Sequence, residues 1–285
     1  MIATLTELLI PGRVAHYADG AFEFWSLDSA QAVVEAAEEA GMPVILQGGS
    51  LEINFAGGID RYARIGRMVA EQAKVKVALH LDHGETVYLA RQAINAGFTS
   101  VMIDASALPF EENAALTQQV VALAKPHGVS VEAELGKLGG TEGGKSFSDE
   151  EAAQTDPDQA WAFVEQTRID ALAVAIGTVH GFYQFAPKLN LDRLKKISDR
   201  VSIPLVLHGG SGTPDDQVRQ TIALGIAKIN ICTEFLAAYG KAFSSEQAKA
   251  GFKYSVPALF GPAKKLGKEL ALSKIRLFSN GSKSW

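Results

Sequence analysis

The sequence predicts an α/β protein, a closed (β/α)₈ barrel in a single domain with an extra C-terminal helix. Three observations lead there. Eight short apolar segments alternate with helix-length segments along the chain. The apolar segments are near-continuous, as parallel strands covered on both faces are. No GxGxxG follows the first of them, so an open doubly wound sheet, the runner-up, lacks its dinucleotide fingerprint. No linker or shift in composition divides residues 1–285, a length that barrels reach as one domain.

The units follow in order. Ala21–Trp25 is a strand candidate, and Ser29–Ala40 a helix with Val33, Val34 and Ala37 on one side. Pro43–Gln47 is the second strand, followed by a helix over Ile59–Ala73; the third strand is Val75–Leu81, and its helix, Thr86–Ala96, is closed by Gly97. Ser100–Ile103 leads through Pro109 into a long helix ending near Pro126–Gly128, and Ser130–Leu135 is the fifth strand. The glycine- and charge-rich stretch over 136–152 reads as a mobile loop. Asp156–Pro157 opens a helix to Thr167, with proline in the first turn. Ala171–Ile176 and a helix over Leu191–Asp199 form the sixth unit, and Leu205–Leu207 with Asp215–Leu224 the seventh. Ile226–Ile231 and a helix to Ala248 complete the eighth, and Ala263–Leu277, amphipathic and lysine-bearing, packs outside the body.

Composition narrows the class. The chain is 47% hydrophobic and 21% charged with a net charge of −5, which speaks against general binding to nucleic acid or a membrane surface. The N-terminus shows neither a charged leader nor a long apolar core, and no run of 18 apolar residues could span a bilayer. The single cysteine, Cys232, has no internal disulfide partner, which fits a cytoplasmic location.

Barrel active sites lie at the C-terminal ends of the strands. There the sequence places Asp82 and His83 after the third strand, Asp104 after the fourth, Glu134 on the fifth, His180 and Gly181 beyond the sixth, and His208 after the seventh. Three imidazoles at one mouth can hold Zn²⁺ and leave a position for substrate. Asp104 and Glu134 are strand-end acids that could support those ligands or take a second metal position. His80 reads as structural, and His16 and His127 as surface residues. Gly209–Ser211 after the seventh strand, and Asn230, Ile231, Cys232 and Thr233 at the end of the eighth, flank the place where many barrels hold a phosphate.

With these residues in hand the chain resembles the class II, zinc-dependent fructose/tagatose-bisphosphate aldolase family. The matching stretches are ALHLDHGET, AGFTSVMIDAS, PFEEN, SVEAELGKLGG, AVAIGTVHG, PLVLHGGSG and AKINICTE. The resemblance implies reversible retro-aldol cleavage through a zinc-stabilised enediolate. His83, His180 and His208 would be the zinc ligands, and Asp82 the acid/base for the hydroxyl proton. Glu142 would exchange the proton on the ketone's α-carbon. Gly181, Gly209, Gly210, Ser211 and Asn230–Thr233 would hold dihydroxyacetone phosphate. A monovalent cation (Na⁺ or K⁺) near the phosphate loops and assembly into a homodimer or homotetramer are family expectations.

The match departs on one side of the substrate. Glu23 stands where the family usually has asparagine, Asn54-Phe55-Ala56 replaces a Lys-Tyr-Ala pattern, and Ala250-Gly251-Phe252 replaces Asp-Pro-Arg. Two readings stay open: a ketose 1-phosphate whose aldehyde half lacks a second phosphate, or a distal phosphate met by another base, with Lys137, Lys145 and Lys188 as candidates.

Overall fold

The structure, a computed structural model, describes residues 1–137, 139–142, 145–147, 154–181, 183, 187–250 and 255–282; of these, 139–142, 145–147 and 245–250 are described as backbone alone. Eight parallel strands close a barrel: β1 (Asp19–Glu23), β2 (Val44–Gly48), β3 (Val77–Gly84), β4 (Ser100–Ile103), β5 (Ser130–Leu135), β6 (Ala171–Val174), β7 (Leu205–Leu207) and β8 (Ile226–Ile231). Each pairs with its sequence neighbours, and β1 pairs with β8 through Asp19↔Lys228 to Phe22↔Ile231. The helices are α1 (Leu5–Ala15), α2 (Leu27–Ala40), α3 (Ser50–Phe55), α4 (Ile59–Gln72), α5 (Val87–Ala96), α6 (Phe110–Ala124), α7 (Pro157–Thr167), α8 (Leu191–Arg200), α9 (Asp215–Ala223), α10 (Thr233–Ala250) and α11 (Val256–Phe278). None of the described helices is long and apolar enough to cross a membrane.

The main core lies between strands and helices, where outward residues such as Phe22, Phe24, Leu46, Leu79 and Val101 meet the helical ring. The barrel interior divides into two levels. Its N-terminal end is filled by Ala21, Ile45, Ala78, Ala171, Ala173, Val206 and Ala227, packed on Leu5, Leu8 and Leu9 of α1. These small residues leave room for α1 to stopper the barrel. Thr4 and Glu7 cap α1 reciprocally. Nearer the C-terminal end the interior is polar, with His80, Asp82, Glu132, Glu134, His208, Lys228 and Asn230 buried. The fold thus closes one end with hydrocarbon and reserves the other for chemistry.

Three elements differ from expectation. The sequence pattern assigns no element before Ala21, yet α1 runs over Leu5–Ala15 with Pro11 and Gly12 inside it. α3, inserted between β2 and α4, was likewise not expected. The stretch read as a mobile loop contains a hairpin: Gly139–Glu142 pairs antiparallel with Lys145–Phe147 and parallel with Val179–His180. Backbone hydrogen bonding to a free strand edge builds it, and glycine-rich strands carry no side-chain pattern that would announce this.

The C-terminal segment starts earlier than its amphipathic pattern suggested, with Ser255 as N-cap and Pro257 in the first turn of α11. It lies along α2, where Lys264 meets Glu35 at 2.6 Å and Lys268 meets Glu39 at 3.0 Å.

Candidate active site

β3 runs on past Leu81, so Asp82 and His83 belong to the strand itself. His83 takes φ 43°, a left-handed conformation that costs a non-glycine residue energy and is found where geometry matters. Its Nδ1 lies 2.8 Å from Asp104 Oδ2, and His208 Nε2 lies 2.8 Å from Glu132 Oε1. With a proton on each of those nitrogens, the carboxylates turn the remaining lone pairs, His83 Nε2 and His208 Nδ1, to face each other at 2.8 Å. His180 completes the group: ring nitrogens of all three lie within 4.8 Å of one another. Two opposed lone pairs beside a third imidazole are a donor set that a cation satisfies, and nitrogen donors in threes suit Zn²⁺.

The supporting carboxylates are held ionised. Burial alone would raise Asp104, but the hydrogen bond and charge of His83, with the Ser106 hydroxyl and N–H, hold it well below the usual carboxylate range. Glu132, fully buried, is pulled down in the same way against its burial, chiefly by Lys228 and then by His80 and His208. Lys228 Nζ stands 2.9 Å from Glu132 Oε2 and 3.2 Å from Oε1. Burial lowers the His208 imidazole, against the pull of Glu132, so its neutral, ligating form is favoured. His80 is buried, which holds its imidazole well below the ordinary pKa, and its Nδ1 lies 2.6 Å from Ser100 Oγ.

Sequence reasoning missed Glu132 and Lys228. Both carry a signal in hindsight: a charge inside an apolar strand, Glu132 two residues before Glu134 and therefore on the same inward face, and Lys228 in the middle of β8. Glu134 Oε2 lies 3.9 Å from His208 Nδ1, and Glu134 joins His83 and Asp104 in a second grouping able to hold a cation.

Asp82 is buried against the barrel wall. Gln47 Nε2 donates to its Oδ2 at 3.0 Å, and Asn230 Nδ2 to its Oδ1 at 3.2 Å. Two neutral donors fix the carboxylate beside His83 without supplying a charge. Asn230, read from sequence as a phosphate donor, thus spends its NH₂ group on Asp82.

The loops read as phosphate-binding do meet. Gly210 N–H donates to the Asn230 carbonyl at 3.1 Å, tying the loop after β7 to β8. Ser211 Oγ accepts from Glu234 N–H at 3.2 Å, in the first turn of α10, and keeps its own proton to donate. Gly209 is required where it stands: φ is 66°, and a Cβ would come 2.4 Å from the Val179 carbonyl oxygen. Gly181, also left-handed at φ 98°, has nothing within 4 Å of a Cβ position. Thr233 begins α10, so Ile231 and Cys232 lead straight into a helix N-terminus, where N–H groups point outward. Of Glu142 the backbone is described and the side chain is not; that backbone belongs to the strand paired with Val179–His180. Lys145 is described as backbone alone, and residues 251–254 lie outside the described residues.

Residues 3–283 match the family described as class II fructose-bisphosphate aldolase. The chain belongs to that family. A Halalkalibacterium halodurans protein named 6-phospho-5-dehydro-2-deoxy-D-gluconate aldolase is 43% identical, with 99% of this chain and 98% of that one covered. A probable fructose-bisphosphate aldolase of Bacillus subtilis is 41% identical, with 99% of each chain covered. Among solved structures, the YdjI aldolase of Escherichia coli K12 superposes with a TM-score of 0.87 at 39% identity over 100% of both chains. The chain is therefore an enzyme, a carbon–carbon lyase of the aldolase type, on the barrel that its sequence predicts.

Proposed function

We propose that the enzyme is zinc-dependent and reversibly cleaves a ketose 1-phosphate or 1,6-bisphosphate of the fructose/tagatose type to dihydroxyacetone phosphate and an aldehyde. The observation that carries this reading is the convergence of His83, His180 and His208, two of them locked by carboxylates, next to a buried Asp82. When bound there, zinc supplies Lewis-acid polarisation of the ketone and its neighbouring hydroxyl.

The residues divide the proton work. Asp82 takes the proton of the carbon-4 hydroxyl as the carbon-3 to carbon-4 bond breaks and carbon 4 becomes the aldehyde. The electron pair of that bond stays on carbon 3, conjugated with the carbonyl. Glu142, on the strand docked beside His180, returns a proton to carbon 3 to complete dihydroxyacetone phosphate. Ser211, Gly181 and the first turn of α10 hold the phosphate.

A second reading has support from the relative named for 6-phospho-5-dehydro-2-deoxygluconate. Retro-aldol cleavage of that sugar acid gives the same triose phosphate and a three-carbon oxo acid, so one half-site serves both. The test is release of dihydroxyacetone phosphate by the zinc-loaded enzyme from ketose 1-phosphates, both bisphosphates and this sugar acid, with and without chelator. Chelator-sensitive release from any of them upholds the reaction. No release from any, with zinc bound, would leave only phosphosugar binding.

A further inference from the structure

Two carboxylates beside Asp82 have no task in the reaction above. Glu23 ends β1, buried, in register with Gln47 of β2, whose side chain donates to Asp82. Glu52, on α3, accepts from Gly49 N–H at 3.2 Å. Gly49 joins it to Asp82: a Cβ there would lie 3.4 Å from the Asp82 carbonyl oxygen and 3.7 Å from Glu52 Oε2. The Glu23 and Glu52 carboxyl groups lie within hydrogen-bonding reach of each other. Burial, helped by the charge of Asp82, raises the Glu52 carboxyl above its ordinary range against the pull of Gly49 and Glu23.

The neighbouring amides point the same way chemically. Gln47 is fully buried, gives its NH₂ to Asp82, and its Oε1 has no hydrogen-bond partner among the described residues. Asn230 Oδ1 is in the same state. An acceptor buried without a donor costs free energy until a ligand supplies one. This wall is therefore made of oxygen acceptors, two of them carboxyl groups.

We propose that Glu23 and Glu52, with Gln47, form the aldehyde end of the substrate site and select an uncharged, polyhydroxylated aldehyde half. Sugar hydroxyls donate to both carboxyl groups, which Gln47 helps to position. A terminal phosphate or carboxylate offers acceptors to acceptors and meets like charge in a buried setting. The inference rests on the aldolase reading and separates this enzyme from relatives whose names specify a bisphosphate or a sugar acid.

The test compares kcat/KM of the zinc-loaded enzyme for D-fructose 1-phosphate, fructose 1,6-bisphosphate and 6-phospho-5-dehydro-2-deoxygluconate. The neutral-ended substrate is expected to lead by at least about tenfold. Glu23→Gln and Glu52→Gln should each shift the ratio towards the anionic substrates by about tenfold, mainly through KM. Preference of the wild type for an anionic substrate, or a ratio unmoved in both variants, overturns the proposal. Exchange of the α-hydrogen of dihydroxyacetone phosphate with solvent by the wild type separates the two levels. Exchange with anionic preference sinks only the selection; absence of both exchange and release sinks the aldolase reading and the selection with it.

Discussion

Replacing Lys228 by methionine removes the one described cation paired with Glu132 and leaves a buried carboxylate beside two imidazoles. Both members of the pair are fully inaccessible, with Nζ to oxygen distances of 2.9 and 3.2 Å. Stranding one partner of such a pair costs about 3–5 kcal/mol, a large share of the roughly 5–15 kcal/mol that holds a domain together. Glu132→Gln strands the lysine instead and should cost a similar amount. In the double variant neither charge is left alone, so its cost should fall short of the sum by about 2–3 kcal/mol. Glu132 also turns His208, and its loss should weaken zinc binding by about 10–100-fold. The assay is urea unfolding of the zinc-free protein followed by circular dichroism, with a parallel zinc competition titration. Additive single costs, or a Lys228→Met penalty below about 1 kcal/mol, would refute the view that Lys228 keeps Glu132 ionised for His208.

Three further outcomes are expected. Asp19 is buried with both carboxylate oxygens lacking a hydrogen-bond partner among the described residues, and burial raises its pKa well above the usual range. A raised carboxyl gives its stabilisation below the unfolded value and loses it as pH rises, so Asp19→Asn should gain on the wild type between pH 4 and 8 in urea midpoint. On the acid side, burial holds His80 and His208 below their ordinary pKa. Unfolding then takes up protons, and the zinc-free protein should lose stability as pH falls below about 6.5, less steeply in His80→Asn. Asp82→Asn should lower kcat by about 10²–10⁴-fold while leaving zinc content near wild type, as measured by metal analysis and triose phosphate release.

Strand identity was legible because buried parallel strands are apolar throughout: β4, β5, β7 and β8 lie where the pattern puts them. The histidines were legible too, since an imidazole at a strand's C-terminal end interrupts that pattern. Hidden from sequence were the features that depend on long-range pairing. α1 gains its reason only from the alanine-lined end of the barrel, and the hairpin at 139–147 from the edge offered by Val179–His180. Glu132 and Lys228 sit 96 positions apart and explain each other only once the barrel closes. Glu52 belongs to a helix that no periodicity foretold.

We propose above that His83, His180 and His208 hold one zinc ion on which cleavage depends. Zinc titration into metal-free enzyme, followed by dihydroxyacetone phosphate release from the preferred substrate, tests it directly. Activity should rise linearly and saturate at one zinc per chain, with no rise in His208→Ala. Full activity without metal, or saturation well beyond one equivalent, would contradict it.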